Sequence, residues 1–171
     1  MAIETASPTT LDTLIAERDI TRVLMLYARA IDRIDAELLK SCFHPDAVLR
    51  YGDETTPAAF AESAPNGLGS YRFTQHRVGN VIIDVEGDFA WCESYCLARH
   101  RIPGDEGKVD TDFLWGGRYV DRFERRDGEW RILRRTVVHD YTRFDPVTET
   151  WPGAPAFTQG QHSTDDIVYQ R

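Results

Sequence analysis

The sequence predicts an α+β fold, with helices first and then an antiparallel meander against which they pack. Three observations carry this. Apolar residues recur at helical spacing over the first helix, they alternate with polar residues over the second half, and two tight-turn signals punctuate the alternating stretch.

Thr9, Thr10 or Asp12 can cap a long helix running to about Arg33, with Ile20, Val23, Leu24, Tyr27, Ile31 and Ile34 as its apolar stripe. Asp35 can cap a second, short helix from Ala36 to Cys42. His44-Pro45-Asp46 then breaks it, because proline disfavours helix in the residue before it. Ala47 to Tyr51 reads as a short strand. Residues 52–70 are rich in Gly, Pro, Ser and Thr, with room for one helical turn around Ala58 to Glu62. Val78 to Val85 is a strand that ends at the turn Glu86-Gly87-Asp88 and leads into Phe89 to Ile102. After the loop Gly104 to Lys108 comes a strand from Asp112 to Arg125, in which Gly116-Gly117 reads as a bend. Arg126-Asp127-Gly128 is the strongest hairpin signal, and it delivers the last long strand, Trp130 to Arg143. Residues 1–8 read as a flexible lead-in. Residues 145–171 hold Trp151, Phe157 and Tyr169 among Pro and Gly, as expected of a tail that packs on the domain or on a neighbouring subunit.

At 171 residues the chain is expected to be one domain, residues 1–171, with enough length for a sizeable core. A net charge of −8 argues against nucleic acid or an anionic membrane as partner, since those surfaces select basic patches. No apolar run approaches the ~20 residues of a membrane span, and Met1 to Thr10 lacks the pattern of a secretory signal. The three cysteines show no CxxC spacing. Cys92 and Cys96, roughly 13 Å apart along a strand, are too distant to bridge, so reduced thiols in a cytoplasmic protein are expected. The five histidines form no HxH, HxxxH or HExxH pattern, so no metal is expected. A GxSxG elbow, a phosphate-cradling P-loop and a dinucleotide fingerprint are likewise absent from the sequence.

Three polar residues stand out against that background. Asp32 lies near the end of the first helix, Tyr27 one turn earlier, and His76 just before the strand Val78–Val85. A carboxylate, an imidazole and a phenol suit proton transfer, because a carboxylate that orients an imidazole makes a general base near neutral pH. Spacing alone does not bring them together. Asp32 sits among Arg29, Arg33 and Asp35, as on a solvated helix face, and a lone His76 fits a surface or capping role equally. His100 shares a strand face with Cys92, Ser94, Cys96 and Ala98, whose small side chains suit a cavity wall, while Trp91, Tyr95 and Leu97 opposite suit core or interface. Arg135 and His139 share a face with Leu133, Val137 and Tyr141. An inward Arg there would bind an anionic substrate group or pair with a carboxylate. The bulk of Trp91, Phe113, Trp115 and Trp151 exceeds what one small core needs, and an oligomer is expected.

Four segments taken together, Ile20–Asp32 (ITRVLMLYARAID), Cys42–Val48 (CFHPDAV), Thr74–Asn80 (TQHRVGN) and Gly117–Trp130 (GRYVDRFERRDGEW), resemble the superfamily of nuclear transport factor 2, in its SnoaL-like and scytalone dehydratase-like branch. Asp165-Asp166 followed by Tyr169 is similar as well. The resemblance implies a cone: a curved antiparallel or mixed sheet wrapped around a long N-terminal helix and two shorter ones, enclosing an apolar pocket. It also implies that Asp32 and His76 form a dyad and that Tyr27 and Tyr51 are pocket tyrosines. His100 falls at the second histidine of scytalone dehydratase, while Arg135 and His139 are candidate substrate contacts by their strand face alone. The expected activity is a cofactor-independent lyase of the dehydratase or eliminase type, acting on a small hydrophobic, aromatic or polycyclic hydroxylated substrate in a trimer or dimer. Isomerisation, cyclisation and retro-aldol deformylation use the same dyad. A ligand-binding or structural domain, like the small subunit of a ring dioxygenase, uses the same fold without it.

Overall fold

A computed structural model describes residues 9–170, so the lead-in at residues 1–8 lies outside the described residues. Helix α1 spans Leu11–Asp32, α2 Ala36–Ser41 and α3 Pro57–Leu68, and the strands are β1 Phe43–Tyr51, β2 Asp53–Thr55, β3 Thr74–Glu86, β4 Phe89–Ile102, β5 Thr111–Arg126 and β6 Glu129–Pro146. The six strands form one open sheet in the order β2-β1-β6-β5-β4-β3. Its pairs are antiparallel except β1 with β6, so the sheet is mixed. This is the cone-like α+β architecture expected from the sequence, with the helices against the concave face.

The Thr10 hydroxyl starts α1 by accepting from the Thr13 amide, and Thr13 returns the bond to the Thr10 amide. Burial then fixes the helix rotation. Ile20 and Leu24 are fully buried beside Tyr27 and Ile31, and each such side chain contributes about 1.5–3 kcal/mol, well above the few tenths that separate most helix propensities. The helix stops sharply. Asp35 N–H donates to Ala30 C=O at 2.9 Å and Ile34 N–H to Ile31 C=O at 3.3 Å, a Schellman-type ending. Ile34 therefore lies beyond the helix, at a φ of 50° that is strained for a β-branched residue. Asp35 caps α2 as expected, through the Leu38 amide.

Several boundaries differ from expectation, each for a physical reason. His44-Pro45-Asp46 lies inside β1, because the register with β6 slips between Phe43 and Val48 and no ladder bond is required of the proline there. The stretch after Tyr51 holds strand β2 and a three-turn α3, capped by Thr56 with Pro57 in its first turn. His76 is within β3, not ahead of it.

Bulges re-aim the long strands. In β3 the register slips between Gly79 and Ile82, with Asn80 in the left-handed region at a φ of 48°. Thr74, His76 and Val78 face inward before the slip, and Val81, Ile83 and Val85 after it. In β6, Leu133 and Asp140 are the extra residues of two similar slips. Leu133 and Tyr141 are consequently off the inward face of Arg135 and His139, contrary to the simple alternation. Gly116 and Gly117 lie opposite the second slip. A Cβ on Gly117 would meet the Val138 carbonyl at 2.2 Å, so the bend requires that glycine, whereas one on Gly116 would meet the half-exposed Tyr141 ring at 2.2 Å and displace it. Trp91 and Tyr95 are half exposed on the outer face, whereas Phe113 and Trp115 turn inward to the cavity and are not interface residues of that face.

Candidate active site

A cavity of about 650 Å³ opens between the helices and the concave face of the sheet. Its wall is mostly aromatic and aliphatic, including Ile31, Phe60, Phe113, Trp115 and Val137, with polar groups from Tyr27, Tyr51, His76, His100 and His139. An apolar chamber with a few convergent polar groups has the character of a small-molecule site.

Asp32 and His76 meet in this wall. Asp32 ends α1 about 140° around the helix from Tyr27, and so faces the start of β3 rather than the sheet centre. His76 Nδ1 is 2.8 Å from Asp32 Oδ1, and the His76 amide donates to Asp32 Oδ2 at 2.9 Å. The Thr74 hydroxyl donates to Asp32 Oδ1 at 2.8 Å. Three donors therefore hold one carboxylate, whose side chain is 14% exposed, with that of His76 at 9%. A carboxylate at Nδ1 keeps the hydrogen on that nitrogen, leaving Nε2 as the ring's acceptor. The His76 ring stands edge-on to His100, 5.4 Å between centroids.

The two tyrosines pair with each other, Tyr27 Oη to Tyr51 Oη at 2.6 Å. Burial raises the pKa of Tyr27, with the Arg135 charge opposing, and burial raises that of Tyr51 further, with Tyr27 adding to the effect. Both phenols therefore stay protonated and act as donors. His100 completes the expected strand face with Cys92, Ser94, Cys96 and Ala98, all buried. Burial first, and then the His76 charge, push its pKa down to about 4, so it is neutral near pH 7. His139 reaches the cavity rim, where it bonds Thr142 Oγ1 at 2.7 Å and lies 6.2 Å from the Trp115 ring.

Of the two roles expected of an inward Arg135, the structure shows the carboxylate pair and not the substrate contact. Arg135 is 1% exposed and makes two bonds to Asp121, at 2.8 and 2.7 Å, beneath the cavity floor. Its guanidinium lies 4.1 Å from the centroids of both Tyr27 and Tyr119. Alternation predicts that Arg135 points inward, and it does. The bulky Tyr27 and Tyr119 then roof it over, so it supports the floor and touches no ligand space.

Several site residues were not singled out from the sequence. Thr74 lies two before His76, and once the strand is extended to Thr74 the two share a face. Tyr119 and Asp121 follow the inward period of β5, with Asp121 as the natural partner for an inward Arg. Phe60, by contrast, comes from the segment 52–70 read as mostly irregular and Tyr71 follows directly after it, and no periodic signal marks either. Cys42 and Cys92 carry thiols that burial pushes up to about 12, which makes them inert filling rather than nucleophiles. Among the described residues no group of three or more His, Cys, Asp or Glu is arranged to hold a metal ion, and no helix is long and apolar enough to cross a membrane.

Comparison with known proteins agrees with this architecture. Residues 12–136 match the model of the SnoaL-like domain family. An uncharacterized protein of Mycobacterium tuberculosis is 31% identical over 121 residues, covering 68% of this chain and 80% of that protein. A Novosphingobium aromaticivorans structure assigned provisionally as a scytalone dehydratase superposes with a TM-score of 0.68 at 25% identity, over 81% of this chain and 97% of that one. A hexachlorocyclohexane dehydrochlorinase of type 2 superposes with a TM-score of 0.70 at 23% identity, over 85% of this chain and 99% of that one, a likeness of fold. With a family match over residues 12–136, most of its length, the chain belongs to the SnoaL-like domain family.

Proposed function

We propose that the protein is a cofactor-independent lyase, of the dehydratase or eliminase type, in which Asp32 and His76 act as a catalytic dyad. The observation that carries this reading is the 2.8 Å contact between His76 Nδ1 and Asp32 Oδ1 in the wall of an apolar cavity. The relatives named for dehydration and dehydrochlorination share the fold and supply the reaction class.

His76 Nε2 removes a proton from a carbon next to an activating group, and Asp32 stabilises the imidazolium and fixes its tautomer, as a carboxylate does beside a catalytic histidine. The C–H electron pair moves onto the activating carbonyl. The Tyr27–Tyr51 pair, held protonated by burial, donates a hydrogen bond to that oxygen and stabilises its charge. Collapse forms the C=C bond and breaks the C–O bond. The imidazolium returns its proton to the departing hydroxyl, which leaves as water. His100 and His139 contact substrate polar groups from the sheet side. The aromatic wall selects a hydrophobic, aromatic or polycyclic hydroxylated molecule, and the protein works as a homo-oligomer.

The test is a panel of hydroxylated aromatic and polycyclic ketones in D₂O, read by deuterium uptake at the acidic carbon and by the absorbance of the conjugated product. Wild type is expected to exchange and eliminate. His76→Ala and Asp32→Asn are expected to lose about 10²–10⁴-fold. Tight binding of panel members by wild type, with exchange no faster than in His76→Ala, would sink the enzyme reading and leave a ligand-binding domain.

A further inference from the structure

The polar contacts behind the dyad extend into the C-terminal tail. Asp166 accepts from the Gln161 amide at 2.8 Å and from the Val168 amide at 3.0 Å, and it meets Arg33 Nε at 3.3 Å. Arg33 follows Asp32 in sequence and donates back to the Asp32 carbonyl at 3.0 Å. The tail is therefore anchored at the point where α1 ends. That anchor sets His162 over the start of β3, with Nδ1 3.3 Å from the Tyr71 carbonyl and Nε2 3.4 Å from Thr74 Oγ1.

We propose that Thr74, with His162 of the tail behind it, is a positioning residue that sets the strength of the Asp32–His76 hydrogen bond. The inference rests on the dyad reading above. Thr74 and His76 Nδ1 donate to the same oxygen, Asp32 Oδ1, both at 2.8 Å. Two donors on one acceptor share its charge, so the threonine hydroxyl draws electron density away from the imidazole N–H. The Tyr71 carbonyl can only accept, so the neutral His162 ring keeps its hydrogen on Nδ1 and presents a bare Nε2 to Thr74. Thr74 has one hydrogen. At 2.8 Å Asp32 holds it, and at 3.4 Å His162 competes weakly for it. Removing the threonine hydroxyl therefore strengthens the Asp32–His76 bond, and removing the His162 ring nitrogen weakens it.

The opposite signs make the test sharp, and it requires no substrate. In the full-length protein, the His76 Nδ1 proton is assigned by NMR as the downfield imidazole signal absent from His76→Ala. Thr74→Val is close in shape to the native residue and is expected to move this signal downfield. Thr74→Ser restores the hydroxyl and should leave it at the wild-type position, while His162→Phe should move it upfield by a smaller amount. With a substrate in hand, Thr74→Val is expected to raise kcat a few-fold and His162→Phe to lower it, both with KM little changed. An unmoved signal in Thr74→Val, or a Thr74→Ser shift equal to that of Val, overturns the proposal. An unmoved signal in His162→Phe removes His162 from it. A wild-type protein with no such signal fails the dyad itself, and a normal set of shifts without turnover fails only the enzyme reading.

Discussion

The same cone holds two carboxylates paired at similar distance in opposite surroundings, one with an imidazole and one with a guanidinium. Asp32 and His76 meet at 2.8 Å in the cavity wall, with both side chains still partly exposed. Asp121 and Arg135 meet at 2.7 Å beneath the cavity floor, with both side chains sealed. Burial pushes the Asp121 carboxyl up and the guanidinium opposes it. For Arg135, burial works against its charge, but Asp121 outweighs that and holds its pKa well above its ordinary value. The floor arginine therefore stays charged, and Asp121 is held to it by two hydrogen bonds out of reach of solvent. The wall pair ends in an imidazole that borders ligand space and can take or give a proton. Access to a ligand, not the strength of the ion pair, separates a site from a brace.

The largest expected effect follows from that contrast. Asp121→Ala strands the Arg135 charge in a dry floor and should cost about 3–5 kcal/mol of stability, measured by denaturant unfolding. Asp32→Asn keeps the shape of a partly exposed group and should cost only about 1–2 kcal/mol, yet it should remove nearly all proton transfer. Replacing the floor pair together, as Asp121→Leu with Arg135→Met, should recover most of what Asp121→Ala loses, because the desolvation penalty of both charges disappears. Equal stability losses in Asp121→Ala and Asp32→Asn would erase the distinction between brace and site.

The next effect is one of pH. The pKa of His100 is pushed from 6.5 down to about 4, by burial first and by His76 next. Between those values the unfolded chain binds a proton that the folded protein refuses. The stability this represents is fully present above about pH 6.5 and is lost as pH falls toward 4, by at most about 3 kcal/mol. Burial also lowers the pKa of His162, which adds a loss of the same sign. His100→Phe should flatten the wild-type stability curve over that interval, as followed by urea midpoints, and superimposable curves would count against a buried neutral His100. No part of this loss comes from the floor, because burial raises the Asp121 pKa and a raised carboxyl pKa works in the opposite direction as pH falls.

Sequence patterning carried the elements further than it carried the site. Phe89–Ile102 was legible to the residue, because alternation and turn residues act locally. The face of His100 was legible for the same reason. The faces of Leu133 and Tyr141 were not, because one extra residue opposite a neighbouring strand flips every later side chain, and a bulge leaves no periodic mark. The meeting of Asp32 with His76 depends on the Asn80 bulge and on where α1 stops, both tertiary outcomes. Resemblance to a family supplied that pairing where spacing could not. Of the two roles that alternation left open for Arg135, the fold realises the carboxylate pair, because inward does not mean accessible: Tyr27 and Tyr119 lie between it and the cavity.

Tyr27 belongs to both regions, and its phenol gives the smallest and most discriminating effect. Its ring rests 4.1 Å from the Arg135 guanidinium, while its hydroxyl meets Tyr51 at 2.6 Å in the cavity lining. Tyr27→Phe keeps the ring over the floor pair and removes only the phenol bond, so it should cost about 1 kcal/mol. Tyr27→Ala also opens the floor and should cost about 3–5 kcal/mol, most of it packing and the uncovered arginine face. Turnover should respond in the other proportion. Phe already removes the phenol at Tyr27 from the oxygen-stabilising pair, so most of the rate loss should appear in that variant and little more in Ala. If the rate instead follows stability, falling far more in Ala than in Phe, then Tyr27 serves the cavity only as a roof over Arg135, and the phenol pair has no part in the chemistry.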